Sequence, residues 1–233
     1  MITHRKTVTA WLLLTPMIVI IVGVSGYPLI KTIYYSLTGA KLIAPDVTSI
    51  WVGLDNYIRA LSSAKFLEAI WHTTYFAVIS VGAEMVIGVL VALLLNEAFA
   101  GRTILRAMLI LPLALPTVVN AMMWRLVYNP DFGALNALLV QIGMLDTYRS
   151  WLGDPASALD MVILADVWKN FPLVALIALA ALQTVPKDLY EAATLDGAGV
   201  WNRFWRITLP AIMGPLSVAL VLRTIEAFKV FDI

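Results

Sequence analysis

The chain has 233 residues, of which 61% are hydrophobic and only 13% are Asp, Glu, Lys or Arg. That charged share is about half the ~25% of soluble domains, and the mean hydropathy is +0.87, so the composition excludes an ordinary soluble domain and indicates a polytopic membrane protein. The net charge of +1 and the lack of a basic tract argue against a nucleic-acid partner. The absence of cysteine and the presence of only two histidines, His4 and His72, argue against a disulfide and against a catalytic centre or metal site built on Cys or His.

The first predicted membrane span covers residues 10–34 and follows the basic start MITHRK. Residues 7–30 contain no charged side chain. This stretch exceeds the ~7–15 residues of a signal-peptide core and matches the ~20 residues that a spanning helix needs, so we expect a retained span. Lys and Arg are divided almost evenly between the two sides of the membrane. The segments on the N-terminal side are shorter and therefore richer in positive charge, which predicts a cytoplasmic N-terminus.

Further spans are predicted at residues 71–95, 107–127, 159–183 and 207–228. No pattern of short alternating strands is present, and a helix satisfies its own backbone hydrogen bonds in lipid. We therefore expect an all-α polytopic bundle that forms a single transmembrane domain over residues 1–233. A short surface helix is predicted after Gly53, in the polar connection between the first two spans.

The connection between the fourth and fifth spans, residues 184–206, is longer than the ~2–8 residues that usually join helices. Pro186 is typical of a first helical turn, and Glu191 complements the positive end of the helix dipole. Gly197 allows a turn, and the amphipathic stretch WNRFWRIT follows it. The pattern predicts a helix–turn–helix at the membrane surface that docks another protein. Alternatively, its aromatic half is an interfacial helix among the lipid headgroups.

Residues 191–210, EAATLDGAGVWNRFWRITLP, resemble the Glu-Ala-Ala loop of permease subunits in ATP-binding-cassette importers. The matching residues are Glu191, Ala192, Ala193, Asp196, Gly197, Ala198, Ile207, Leu209 and Pro210. The flanking stretches GLDNYIRAL and RAMLILPLALPTVV are similar to the carbohydrate branch of this binding-protein-dependent inner-membrane component family. The resemblance implies the fold of a type I importer permease, in which residues 184–206 form a cytoplasmic coupling loop.

The same resemblance implies specific roles for the residues of this loop. Glu191 would engage the ATPase subunit electrostatically, Ala192 and Ala193 would allow close packing, and Gly197 would set the turn that follows Asp196. Members of the family usually have six or more spans. A further apolar helix is therefore expected after EAFKVFDI, where this sequence stops.

The function implied by the resemblance is ATP-driven, binding-protein-dependent import of a sugar or polyol across the inner (plasma) membrane of a bacterium or archaeon. The chain would form half of the translocation path. The implied partners are an ATP-binding subunit dimer, a second permease subunit and an extracytoplasmic solute-binding protein. Because the sequence contains no G-x-x-x-x-G-K-[ST] phosphate loop, we expect no cofactor in this chain and ATP–Mg in the partner ATPase.

Charged side chains within membrane spans are costly and usually face a cavity or a partner. Two sets share a helix face by their spacing: Asp166, Asn170 and Leu173 on the fourth span, and Arg223, Ala227 and Val230, with Glu226 beside them, on the fifth. At ~1.5 Å per residue, Asp166 and Arg223 both lie roughly 25 Å from the inner surface, so we expect them to face each other. The resemblance points to these faces as the sugar path, lined by Asp166, Lys169, Asn170, Leu173, Arg223, Glu226 and Val230. Trp168 or Phe171 would stack on a sugar ring.

Other interpretations of these residues remain open. Asp166 with Lys169, and Arg223 with Glu226, are i,i+3 pairs that would only neutralise each other. Glu84, near the middle of the second span, is predicted to make a buried interhelical hydrogen bond. An ion-coupled secondary transporter would use Glu84 or Asp166 as a proton site, but the internal repeats typical of that class are not found. Arg223 would also suit an anionic cargo such as glycerol phosphate.

Overall fold

The structure is a computed structural model that describes residues 2–39 and 50–230, with side chains from Thr7 onward. Part of the first polar connection and the last three residues of EAFKVFDI, the stretch after which a further helix was expected, lie outside the described residues. The chain divides into two compact units, Met1–Ile70 and Trp71–Ile233.

The first unit contains a long apolar helix and a short connection. Helices α1 (Ile2–Ile21) and α2 (Tyr27–Ser36) are joined by one π-helical turn, Val22–Gly26, and the stretch Thr7–Ser36 is long and apolar enough to cross a membrane. An isolated antiparallel bridge pairs Thr38 with Trp51. The short helix expected after Gly53 is confirmed as α3 (Asp55–Leu61).

The helices that follow are α4 (Ala64–Asn96), α5 (Arg102–Ala114), α6 (Thr117–Val127), α7 (Ala134–Gln141), α8 (Ala158–Leu182), α9 (Lys187–Leu195), α10 (Val200–Arg203) and α11 (Leu209–Ala227), with a π-helical turn, Phe204–Thr208, leading into α11. Over the described ranges, four helical stretches have the length and hydropathy of a membrane span, and α5 with α6 makes a fifth if the pair is one span. The predicted all-α membrane bundle is confirmed.

The third predicted span, residues 107–127, is not one continuous helix. Helices α5 and α6 meet at an angle of 100°. The cause is Pro116, because a proline ring clashes with a helical conformation of the preceding residue. Leu115 accordingly takes an extended conformation with φ −77° and ψ 128°. The bend turns α6 toward α8, where Tyr128 donates a hydrogen bond to the Met161 carbonyl over 3.0 Å.

Two apolar clusters fill the second unit. The loop-side core, near residues 184–206, comprises Ala92, Leu95, Leu109, Val174, Ala175, Ala178, Leu179, Ala181, Leu182, Ile212 and Leu216. The distal core, at the opposite end of the same long helices, comprises Phe76, Ala77, Val81, Ile163, Val167 and Ala227. Both clusters combine residues of α4 and α8, so these two helices are packed together along much of their length.

The polar connection between α6 and α8 is organised by Asn136, whose side chain is fully buried. Its amide nitrogen donates to the Asn129 and Arg149 carbonyls, and its amide oxygen accepts from the Trp151 ring nitrogen over 2.8 Å. A buried polar group must be hydrogen-bonded to avoid a desolvation penalty. Asn136 meets that requirement and ties together the Asn129, Arg149 and Trp151 parts of the connection.

Gly88 lies on α4 where the backbone of α8 comes very near. A β-carbon at Gly88 would lie 2.7 Å from the Val174 Cβ and 3.0 Å from the Ala175 backbone nitrogen. Close helix approach at a small residue is a common source of packing energy in membranes. We expect Gly88→Ala to lower the free energy of unfolding by about 1–3 kcal/mol, because it overpacks this contact.

The expected loss is measured by titrating the purified protein with a denaturing detergent. Gly82→Ala is the matched control, since Gly82 is on the same helix and has no atom within 4 Å of its added carbon. Equal stability of the two variants would contradict the close contact between α4 and α8.

Candidate functional site

The predicted coupling loop has the helix–turn–helix form expected from its sequence. Helix α9 begins directly after Pro186 and ends before Gly197, which has φ +75°. The Gly197 amide donates to the Thr194 carbonyl and the Ala198 amide to the Ala193 carbonyl. This is the Schellman arrangement, in which a left-handed residue closes a helix, and glycine takes that conformation without steric cost.

Two side-chain contacts hold the arms of the loop together. The hydroxyls of Tyr190 and Thr208 are 3.0 Å apart, and Arg203 Nη1 donates to Thr194 Oγ1 over 3.0 Å. Sequence reasoning missed this function of Tyr190 and Arg203, because the pairing depends on the angle at which the two arms meet. The contacts make the loop a single body joined to α8 at one end and to α11 at the other.

The face that was predicted to dock a partner is accessible. Glu191, Ala192, Asp196 and Gly197 are exposed, and Ala193 is half-buried. Apolar side chains adjoin them: Leu195 is 90% exposed and Val200 is 75% exposed, and the stacked rings of Trp201 and Phe204 lie 6.0 Å apart. An apolar patch beside small and acidic residues is typical of a protein-interaction surface. The sequence analysis did not single out Leu195 and Val200, although apolar residues in a polar loop are a recognisable signal.

A buried ionic cluster joins three long helices between the loop-side core and the distal core. Arg223 on α11 donates from Nε and Nη2 to the two carboxylate oxygens of Glu84 on α4, over 2.7 and 2.8 Å. Nη2 also donates to Asp166 Oδ2 on α8 over 3.2 Å, and Nη1 donates to Glu226 Oε2 over 2.6 Å. The first three side chains are at most 3% exposed, whereas that of Glu226 is 59% exposed.

This cluster decides between the interpretations that the sequence left open for some of these residues. The facing of Asp166 and Arg223 is confirmed, and so is the buried interhelical hydrogen bond of Glu84. The i,i+3 pair of Arg223 with Glu226 is present. Lys169 acts on Asp166 through its charge, and its ammonium group donates to Thr117 Oγ1 on α6, over 2.5 Å.

The remaining residues of the predicted sugar path are arranged around the cluster. Asn170 is half-buried and donates to Asp166 Oδ1 over 2.7 Å. Leu173 is half-buried, and Val230 is exposed. Asp166 and Arg223 are therefore held in the cluster in this conformation, while Glu226 and Val230 are accessible. Their role as path residues stays a prediction.

The two aromatic side chains that were expected to stack on a sugar ring are engaged in packing. Trp168 meets Trp124 of α6 edge to face, with ring centroids 5.8 Å apart. Phe171 packs against the loop-side core. Most of α8 is buried or half-buried because α5, α6 and α11 pack against it, which explains this arrangement.

A cavity of about 210 Å³ lies at the distal end of the same three helices. It is lined by His72, Thr73 and Phe76 of α4, by Leu159 and Val162 of α8, and by Ala227 and Val230 at the end of α11. Glu226 immediately precedes Ala227 in the chain. The ionic cluster thus lies one to two helical turns below the cavity, on helices that the coupling loop connects.

Comparison with known proteins relates this arrangement to a described family. Residues 84–233 match the family described as binding-protein-dependent transport system inner membrane component. The matched region includes every member of the ionic cluster and the whole of the loop 184–206. It therefore covers both candidate functional features.

Relatives match over nearly the entire chain. The trehalose/maltose transport system permease protein MalF of Thermococcus litoralis is 40% identical over 230 residues, which are 99% of this chain and 77% of that protein. The inner membrane ABC transporter permease protein YcjO of Escherichia coli is 36% identical, covering 95% and 76%. The trehalose transport system permease protein SugA of Mycobacterium tuberculosis is 34% identical, covering 96% and 70%.

A solved structure shares the fold. A bacterial ABC transporter involved in import of the acidic polysaccharide alginate contains a chain that superposes with a TM-score of 0.75 and 26% identity, over 97% of this chain and 75% of that one. A second structure shows the alginate transporter with its periplasmic protein bound to an alginate pentasaccharide, with a TM-score of 0.72. Fold, sequence profile and relatives agree, and this chain belongs to the family of inner-membrane permease components of binding-protein-dependent ABC transport systems.

Proposed function

We propose that this multi-pass inner-membrane chain is one of two permease subunits of an ATP-driven importer, and that its cargo is a sugar or polyol. The observation that carries the proposal is the loop 184–206. It is an internally bonded helix–turn–helix with an accessible docking face, and it is continuous with α8 and α11. A displacement of this loop by a neighbouring subunit would move both helices.

The partners follow from this mechanical role. An ATPase dimer in the cytoplasm would grip the loop through Glu191, Ala192, Ala193, Asp196 and Gly197. ATP–Mg would be bound in that dimer, so the chain itself would hold no cofactor and perform no catalysis. A second permease would complete the path, and an extracytoplasmic solute-binding protein would deliver the cargo. This arrangement requires a cytoplasmic loop and, with one span before α4, a cytoplasmic N-terminus.

The cargo class is supported by the functions of relatives, which include permeases for trehalose and maltose. Within the chain, Glu226 and Val230 provide an accessible carboxylate and an apolar contact at the end of α11. Carboxylates accept hydrogen bonds from sugar hydroxyls. The path residues Asp166, Lys169, Asn170, Leu173 and Arg223 would support these contacts from below.

Reconstitution in liposomes tests the proposal. The chain is co-expressed with the proposed ATPase, second permease and binding protein. The complex is purified, placed in liposomes and supplied with ATP inside them. We expect uptake of labelled maltose or trehalose that needs ATP and the binding protein. Uptake driven by a pH gradient without the ATPase would instead support an ion-coupled transporter that uses Glu84 or Asp166.

A further inference from the structure

The guanidinium of Arg223 is almost fully occupied by carboxylates of the protein itself. An arginine side chain has five N–H donors. Three of those of Arg223 point to Glu84 and Asp166, and a fourth points to Glu226. The Arg223 side chain is also only 3% exposed, so an anionic cargo could reach it only by displacing one of these carboxylates. The arginine is therefore unsuited to recognise a phosphate or carboxylate on the cargo.

The cluster also carries an excess of negative charge. Both oxygens of Glu84 accept hydrogen bonds from Arg223, so the two side chains form a bidentate pair. The two oxygens of Asp166 accept from Arg223 and from Asn170. Three carboxylates thus surround one guanidinium. The Lys169 ammonium group donates to Thr117 and acts on Asp166 through its charge, so it offsets only part of the excess.

The excess negative charge of the cluster lies on its solvent-accessible side. Glu84 and Asp166 are buried with Arg223 between them, whereas the Glu226 side chain is 59% exposed. A charge in contact with solvent acts on mobile ions near it, and its effect falls off within about 8–10 Å at physiological ionic strength. Val230 and the cavity that it lines lie within about one helical turn of Glu226.

We propose that Glu84, Asp166 and Glu226 together make this part of the path selective against anionic cargo, so that the imported compound is an uncharged polyhydroxy compound and not a phosphorylated or acidic one. The proposal deepens the proposed function and rests on it. Glu226 meets the cargo directly, and Glu84 is a positioning residue that acts by occupying Arg223. The alginate transporter has the same fold and is involved in the import of an acidic polysaccharide. The fold alone therefore does not determine whether the cargo is charged.

The electrostatic potential near Val230 can be measured without any cargo. Because the chain contains no cysteine, Val230→Cys gives it a single thiol. The variant is labelled in membrane fragments that are open to reagents from both sides. Its reaction rates with a cationic and an anionic methanethiosulfonate reagent are compared, each relative to a free thiol. One unit charge a helical turn away in water-like surroundings should raise the rate of the cationic reagent about threefold and lower that of the anionic reagent about threefold. We therefore expect the cationic reagent to be favoured about tenfold.

Adding Glu226→Gln should reduce this preference several-fold, and adding Glu84→Gln should reduce it further, because the charge of Arg223 is then less fully balanced. Met144→Cys is the control, since Met144 is exposed in the connection before α8 and far along the chain from the cluster. Its reagent preference should not respond to either substitution. Because Glu226 is exposed, we expect the Glu226→Gln variant to fold. It therefore tests the proposal even if the Glu84→Gln variant does not fold.

A preference for the anionic reagent at position 230, or a preference that Glu226→Gln leaves unchanged, would overturn the proposal. The labelling needs neither ATP nor cargo, so that result would leave the import function standing. Absence of ATP-driven uptake in the reconstituted system, with the expected labelling pattern intact, would count against the proposed function alone.

Discussion

Arg223→Met is expected to destabilise the protein by about 3–5 kcal/mol, because it leaves Glu84 and Asp166 buried without a counter-charge. Glu84 is fully buried and Asp166 is 2% exposed, so neither carboxylate can recover its hydration without opening the bundle. The loss would be read from the midpoint of unfolding in a denaturing-detergent titration, and from the yield of monodisperse protein after purification.

Arg149→Met provides the matched control, since Arg149 pairs with Asp154 at the surface and both side chains are about two-fifths exposed. An exposed ion pair contributes at most about 1 kcal/mol. Combining Arg223→Met with Glu84→Gln and Asp166→Asn should restore most of the lost stability, because the buried charges are then removed together. A triple variant as unstable as Arg223→Met alone would show that the loss comes from packing around the arginine and not from unpaired charge.

Glu191→Lys is expected to lower ATP-driven uptake more than about tenfold while leaving membrane insertion and stability unchanged. Glu191 is exposed on α9 and takes no part in the contacts that hold the loop together. Placing a charge of the wrong sign in an interface costs several kcal/mol, and each 1.4 kcal/mol is a factor of ten in binding. Uptake and ATP hydrolysis are measured in the same proteoliposomes, so that loss of coupling is distinguished from loss of assembly.

Asp131→Lys makes the same charge reversal at an exposed residue between α6 and α7. It should leave the coupling of ATP hydrolysis to transport intact, because Asp131 is at the opposite end of α8 from the loop. Normal uptake by the Glu191→Lys variant would show that the ATPase does not contact this face of the loop.

The coupling loop could be predicted from the sequence because its determinants are local. Pro186 and Gly197 mark the start and end of α9, and the polar composition separates the loop from the flanking spans. The contact of Asp166 with Arg223 was also predictable, since both residues are tethered to the loop at similar distances along their helices. The depth of each residue in the membrane can be counted along its helix from the loop, even when the packing of the helices is unknown.

The partner of Glu84 could not be predicted, because Arg223 is 139 residues away and on a helix that no short connection ties to α4. The depth and rotation of α4 depend on how it packs, for example at Gly88. The hydrogen-bond partner of Lys169 could not be predicted for a similar reason. Its actual partner, Thr117, comes within reach only because the chain bends sharply at Pro116, and the angle of such a bend is not encoded in helix spacing.

The π-helical turn at Phe204–Thr208 has a geometric consequence for α11. A π turn accommodates one more residue than an α turn. Conversion to regular α-helix would swing everything beyond it by about 100° around the helix axis and advance it by about 1.5 Å. Arg223 would then lose its contacts with Glu84 and Asp166. The rotation of α11 about its own axis is consequently fixed at both ends. Force applied at the loop must therefore tilt or translate this helix together with its neighbours and cannot rotate it alone.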